Sequence, residues 1–517
     1  MPQRRSFGAS QKTVFGNLNM EEKINNQKGS NLRWWILLTV IIGTFLGRLD
    51  ETIVNLALPK IISDFGITVS AASWIATAYI LANTAFVPIW GKLGDTIGRK
   101  KVYLWGFSIF IFGSILAGLS WNLPSMIVFR IIQSIASSAD YPTAMAILAV
   151  TFKQGKERAQ ALGIWSSSFA AAIVFGPLLG GPLIDNFGWR SVFMINIPIG
   201  ILGMAMAFRF INESRSEVKT RFFDWWGAIT LGGVLSALVL VLDQGSTWGW
   251  LSMNSILCYL SIIILTGIFL KIEQKAPEPI VDLKFFKIPA FVNVLLNNFI
   301  VFMGMMGGVF LIPIFAQTFL GMNATQSGYL FIPMAAALML AAPLGGRMIG
   351  KIQSRYMIFA STLVAAFGIF LLTGLDPKSG ALAIAIPLAI MAFGLGFGMA
   401  QRTSIIASVV PQNEIGVASS VLALVRNIAG AFGIAIFATI VTARTKTNVS
   451  IINGFSKLSS NLPINIQKYI GLVELKAQVN AYDYVFWVAT ILIFLGSFTI
   501  LFLKLKNERT DIKVHVE

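Results

Sequence analysis

Stretches of about 20 apolar residues recur from Trp34 almost to the end of the chain, each long enough to cross roughly 30 Å of hydrocarbon as a helix. Fourteen can be drawn, at 34–60, 72–90, 102–121, 125–151, 160–184, 191–210, 225–243, 254–272, 290–319, 325–346, 357–375, 381–408, 416–443 and 482–503. No water satisfies the backbone inside a bilayer, so such windows must close their hydrogen bonds internally, as helices. With 56% hydrophobic and only 12% charged residues over 517 positions, a soluble domain is excluded. The expected fold class is an all-α integral membrane protein.

An even number of spans puts both ends of the chain on one side, and the basic residues say which. Of 40 Lys and Arg, with Lys60, Arg209 and Lys271 at span ends counted with the adjacent loops, 28 lie in the tails and the loops after even-numbered spans, 8 lie in the opposite loops, and 4 (Arg48, Arg130, Arg402 and Arg426) lie within spans. By the positive-inside rule both termini are expected in the cytoplasm. This asymmetry, with anionic lipid headgroups as its partner, accounts for the net charge of +17 and makes nucleic acid an unneeded partner. The polar first thirty residues lack the apolar core of a cleavable signal, so the first span is expected to act as its own insertion signal. One cysteine, Cys258, and one histidine, His515, exclude an intrachain disulfide and leave metal chemistry almost no ligands, so no cofactor or metal is expected.

The chain also repeats itself. "VPIWGKLGDTIGRKK" after the second span is echoed 255 residues later by "APLGGRMIGKIQSRY": Pro88 aligns with Pro343, Gly91 with Gly346, Lys92 with Arg347 and Lys100 with Arg355, while Asp95 meets Gly350 and Arg99 meets Ser354. Each copy follows the second span of its half, which points to two six-span bundles with spans 7 and 8 inserted between them. The division is a tail at 1–33, a first bundle at 34–210, a linker with two helices at 211–289, a second bundle at 290–503 and a tail at 504–517. A mixed stretch, 444–481, is expected on the surface opposite the tails.

Ionisable groups inside spans are the chemical signal, because each is costly there unless it pairs or lines a watery path. "GTFLGRLDETIVNLALPKI" puts Arg48, Asp50 and Glu51 in span 1, and span 4 carries Arg130 and Asp140. At about 1.5 Å per residue, Asp50 lies roughly 22 Å and Asp140 about 16 Å from the inner ends of their spans. Arg48 and Glu51, three apart, share a helix face and can neutralise each other; Asp50 points away and needs another partner, for which Arg130 is the candidate. Two arginines against three carboxyls leave the cluster uncharged only with one proton bound, as a proton-coupled carrier requires. The second half offers Arg426, Gln401 and Arg402 toward the cavity and no intramembrane carboxyl.

Over nearly its whole length the sequence resembles the fourteen-span drug:proton antiporters of the major facilitator superfamily, the EmrB/QacA type. The resemblance is carried by "LDETIVNLALP" in span 1, "GKLGDTIGRKK" with Gly91, Asp95, Gly98 and Arg99 in place, Arg130 followed by Gln133 in span 4, and "GPLLGG" with Gly176, Pro177, Gly180 and Gly181 in span 5. "WRSVFMINIPIG" and "LVRNIAGAFGIAI" support it. It implies the superfamily fold of two six-helix bundles plus two extra helices, in the cell membrane. It further implies Asp50 as the coupling acid with Arg130 as partner, the Gly91–Arg99 loop as a gate, and span 5 as a tight interface. Glu51 and Asp140 stand either as proton-bearing groups or as groups that recognise a cationic substrate. The activity implied is export of lipophilic, including cationic, drugs or toxic compounds in exchange for protons. Export of an endogenous metabolite, lipid or peptide-like product is the alternative on the same fold. A membrane enzyme is disfavoured, since no intramembrane His or Cys pair and no nucleophile with its base can be found.

Overall fold

Apolar windows without backbone-satisfying water become helices, and helices are what the computed structural model contains. It describes residues 8–152, 156–215, 224–276, 283–349, 351–410, 415–456 and 464–502. Within them the chain is helical, with two short 3-10 turns and no strand. In order the helices are α1 (Gly8–Phe65), α2 (Val69–Ile97), α3 (Arg99–Gly118), α4 (Leu123–Ser137), α5 (Asp140–Thr151), α6 (Lys156–Phe187), α7 (Ser191–Met194), α8 (Asn196–Phe210), α9 (Trp225–Trp248), α10 (Met253–Lys275), α11 (Pro289–Phe319), α12 (Ala324–Tyr329), α13 (Ile332–Arg347), α14 (Ser354–Phe370), α15 (Leu382–Val409), α16 (Ile415–Ser456) and α17 (Ile464–Thr499). Among the described residues, ten segments are long and apolar enough to cross a membrane, and Trp226–Leu242 and Ser354–Phe370 are shorter apolar helices. Local chemistry marks the ends: Thr68 accepts from the Ala71 N–H, and Asn122 with Ser125 and Asn323 with Gln326 form reciprocal capping boxes.

Several boundaries differ from the sequence expectation. The span drawn at 125–151 is broken at 138–139 into α4 and α5, because Pro142 cannot donate to the carbonyl four residues before it. Asp140 therefore opens α5 and is not on the helix that carries Arg130. The span drawn at 325–346 breaks in the same way between α12 and α13, next to Pro333. The stretch 444–481 is largely helix, as extensions of α16 and α17. The C-terminal tail with His515, and Gly350 of the second loop copy, lie outside the described residues.

Packing separates the molecule's two ends. Near the termini each half buries its own core: Ile36, Val40, Phe107, Ile147 and Trp165 in one, Phe285, Phe291, Ile358, Ile405 and Val421 in the other. Toward the opposite end a single cluster joins the halves, with Ile53, Leu56 and Ala57 of α1 against Phe310, Ile314 and Phe331. The α9–α10 hairpin leans on α2 and α16, and α10 leaves Ile256, Leu260, Ile263 and Ile264 exposed, as a lipid-facing helix would.

Candidate functional site

Asp50 is fully buried in the middle of the first half, and four neighbouring helices contribute to its surroundings. Arg130 of α4 donates through Nη1 to Asp50 Oδ2 at 2.5 Å. Gln133, one turn along the same helix, donates to Asp50 Oδ1 at 2.9 Å, and Asn196 of α8 donates to that oxygen at 2.7 Å. Gln133 also accepts from Arg130 at 2.6 Å and donates to Ser114 of α3 at 2.6 Å. From α2, the Tyr79 ring lies 4.0 Å beneath the guanidinium. The carboxyl thus accepts from three side chains, one of them a cation, so its acceptors are matched at this depth. Withdrawing the arginine alone would strand a buried charge.

The other charges are arranged differently. Arg48 and Glu51 form an ion pair at 2.7 Å, with both side chains one-third exposed. Arg426 on α16, in the second half, lies within electrostatic reach of both and rests 5.6 Å from the centre of the Phe302 ring. Asp140 faces inward among α1, α3 and α5, where Thr44 donates to its Oδ2 at 2.6 Å and Trp165 in turn donates to Thr44 at 2.8 Å. Its buried Oδ1 lies beside the Tyr103 hydroxyl, and the residue lines a cavity of about 30 Å³ with Gly43, Gly47, Tyr103 and Ser137. That is room for a water molecule.

In the loop between α2 and α3, Arg99 donates to Asp95 at 2.8 Å, so the two charges close on each other within the loop. Gly98 has φ 120°, which an L side chain rarely adopts, and a β-carbon there would run into the Glu213 carboxylate. Glu213 accepts from the Lys100 N–H, which ties this loop to the chain after α8. In α6, Gly176 and Gly180 back onto Thr52 and Ile53 of α1, while Gly181 meets Thr325 of the other half. Gln401 and Arg402 differ from their expected place at the cavity, since both are buried inside the second bundle. Gln401 donates to the Gly345 carbonyl at 2.7 Å; Arg402 donates to Asn297 and Thr362, each at 3.0 Å. Polar partners on α11, α13 and α14 draw them inward.

At the end away from the termini the halves touch directly. Asp185 at the tip of α6 accepts from the Ala324 and Thr325 N–H groups and the Thr325 hydroxyl at 3.0, 2.9 and 2.6 Å. Gln317 donates to the Leu56 carbonyl at 3.0 Å, and the Ser70 N–H to Thr442 at 3.1 Å. Sequence reasoning singled out neither this seam nor Ser114, Asn196 and Thr44. Asn196, a lone amide inside "VFMINIPIG", was the one available signal.

A family model described as Major Facilitator Superfamily matches residues 40–434. The chain belongs to the Major Facilitator Superfamily. It is thus a multi-pass membrane transporter of small molecules and not an enzyme. It is 33% identical over 424 residues to "Multidrug transporter protein MdtP" of Bacillus subtilis, covering 82% of this chain and 78% of that one. It is 30% identical over 402 residues to "Multidrug export protein EmrB" of Haemophilus influenzae, covering 77% and 79%. Among solved structures, a bacterial homolog of the human lysosomal transporter Spinster, inward-facing and unoccupied, superposes with a TM-score of 0.63 at 16% identity, covering 91% of this chain and 98% of that one. At that identity the likeness concerns the fold alone.

Proposed function

We propose that this superfamily member is a fourteen-span, proton-coupled antiporter of the EmrB/QacA type in the plasma membrane, exporting lipophilic drugs or toxic compounds by alternating access. Both termini face the cytoplasm. Residues 34–210 and 290–503 form the two rocking bundles, and 211–289 carries the extra helix pair. The similarity to a multidrug transporter and a multidrug export protein supports the cargo class.

The observation that carries the reading is the fully buried Asp50 carboxyl group, which holds Arg130 and Gln133 of α4 and Asn196 of α8. Protonation would remove that charge and turn one carboxyl oxygen from acceptor to donor, so the surrounding helices would be free to reset. The remaining acids take distinct parts. Glu51 is satisfied by Arg48, whereas Asp140 has a hydroxyl and no cation within hydrogen-bonding distance. Asp140 is the second acid assigned a proton-carrying role, and the cavity beside it has room for one water. The loop at Gly91–Arg99 and the α6 glycines serve as gate and seam.

Transport in everted vesicles under an imposed pH gradient tests this. Asp50→Asn is expected to insert normally and lose gradient-driven accumulation; accumulation equal to wild type would overturn the assignment. A second cargo class, an endogenous product bearing an anionic group, is favoured by Arg426, which among the described residues forms no hydrogen bond and no ion pair.

A further inference from the structure

Two amides share one oxygen of Asp50, and they are held very differently. Asp50 Oδ1 accepts from Gln133 of α4 at 2.9 Å and from Asn196 of α8 at 2.7 Å, while Oδ2 accepts from Arg130. Gln133 is fixed at both ends, since its oxygen accepts from Arg130 and its nitrogen also donates to Ser114, each at 2.6 Å. Turning that amide over would break both contacts. Asn196 is fixed at one end only. Its nitrogen reaches Asp50 and, at 3.3 Å, Ser114, whereas its side-chain oxygen is buried and, among the described residues, receives no hydrogen. The residue is fully buried at the first position of α8, out of reach of bulk water. A buried acceptor without a donor is costly, so its place beside an acid calls for a reason.

Protonation of Asp50 supplies one. The carboxylate gains an O–H bond and loses its negative charge, and the new O–H needs an acceptor in a dry place. The neighbouring side chains that contact the carboxyl or its partners present three oxygens. Ser114 Oγ already accepts from Gln133 and Gln133 Oε1 from Arg130; the oxygen of Asn196 is unused. Half a turn of the Asn196 carboxamide exchanges nitrogen for oxygen in nearly the same space. The surrounding charges do not compete for this part. Arg130 and the Tyr79 phenol, whose ring lies 4.0 Å from the guanidinium, face the pair from α4 and α2. On α1, Arg48 and Glu51 bind each other, and Asp140 of α5 lies against Thr44, about 9 Å farther along the helix. Arg190, before α7, donates to the Ser120 carbonyl. The charges of α3, α6 and α8 sit in their terminal turns.

We propose that Asn196 is a positioning residue for proton uptake: its N–H holds the ionised carboxylate of Asp50, and after protonation its amide turns over so that its oxygen accepts the new O–H. Gln133 stays in place, and Asn196 alone changes from donor to acceptor. By serving both forms it eases the exchange of a proton at a site where each form would otherwise lack a partner. This rests on the reading of Asp50 as the coupling acid.

Infrared difference spectroscopy of the purified full-length protein in detergent, stepped in pH, tests the proposal on the wild type itself. Acidification is expected to produce a carboxylic-acid C=O band that Asp50→Asn removes. With it should come a side-chain amide C=O band moving to lower frequency, as a carbonyl does on accepting a hydrogen bond, and Asn196→Leu should remove that shift. In Asn196→Leu the midpoint of the Asp50 band should rise by about one pH unit, because a hydrogen bond to the charged form is worth more than one to the neutral form. Asn196→Ser, whose hydroxyl both donates and accepts, should also remove the amide shift but bring the midpoint part of the way back; it makes the same assignment if the leucine variant does not insert. An Asp50 band with no accompanying amide shift overturns the proposal and leaves the coupling reading standing, as does an unchanged midpoint in Asn196→Leu. If Asp50→Asn removes no carboxylic band at any pH at which the protein stays folded, Asp50 does not titrate, and the coupling reading fails together with this one.

Discussion

The two halves each bury an arginine almost completely, and they treat it in opposite ways. Arg130 is matched by a carboxylate, an amide and an aromatic face; Arg402 has only the side-chain oxygens of Asn297 and Thr362, and its second terminal nitrogen is buried without a partner. The first arrangement sets a cation directly against an acid. The second is a fixed charge held by neutral dipoles, with nothing nearby to titrate it. Under the proposed function, switching belongs to the first half and scaffolding to the second.

The contrast can be broken most forcefully at Arg130. Arg130→Met leaves Asp50 as an uncompensated buried charge and should cost about 3–5 kcal/mol, seen as a large drop in thermal unfolding temperature in detergent, with Asp50→Asn added on top recovering much of it. Arg402→Met should cost far less, because a charge leaves together with its desolvation. Equal losses at the two sites would erase the distinction. Next in size, Asn297→Leu removes the amide oxygen that Arg402 uses and should cost about 1.5–3 kcal/mol by the same measurement.

A smaller effect is expected at the seam. A β-carbon at Gly181 would lie 2.3 Å from Thr325 Cα, so Gly181→Ala overpacks the closed contact. The closed form should lose about 1–3 kcal/mol. A maleimide-reactive cysteine placed at Ala57, buried in the shared core, would report it as faster labelling in a Cys258→Ser background. Unchanged labelling would mean the seam does not govern opening. Smallest of all, Gly346→Ala has nothing within 4 Å of the new methyl and should stay within about 0.5 kcal/mol of wild type.

What the sequence disclosed follows from which interactions are local. The helices were legible because hydrocarbon forces each apolar window to satisfy itself. The Arg48–Glu51 pair followed from a spacing of three. Asp50 was marked by the cost of its charge, and Arg130 was the available counter-ion. Ser114 and Asn196 escaped because a hydroxyl or amide in a span is cheap enough to be ordinary, and only α3 and α8 folding onto α1 gives them their task. Arg402 was misplaced toward the cavity because rotation about a helix axis is decided by partners such as Asn297, 105 positions away in the chain. The break before Asp140 was carried by Pro142, whose missing N–H outweighed a continuous apolar pattern.

The seam itself has a mechanical corollary. At Gly181 and again at Gly328, where a β-carbon would fall 2.6 Å from the Pro177 carbonyl, the two bundles meet main chain to main chain. Side chains can yield by rotating, a little at a time, but a peptide plane pressed on a peptide plane has no such slack. That doorway is therefore expected to snap between latched and parted, leaving no half-open posture through which ions could seep.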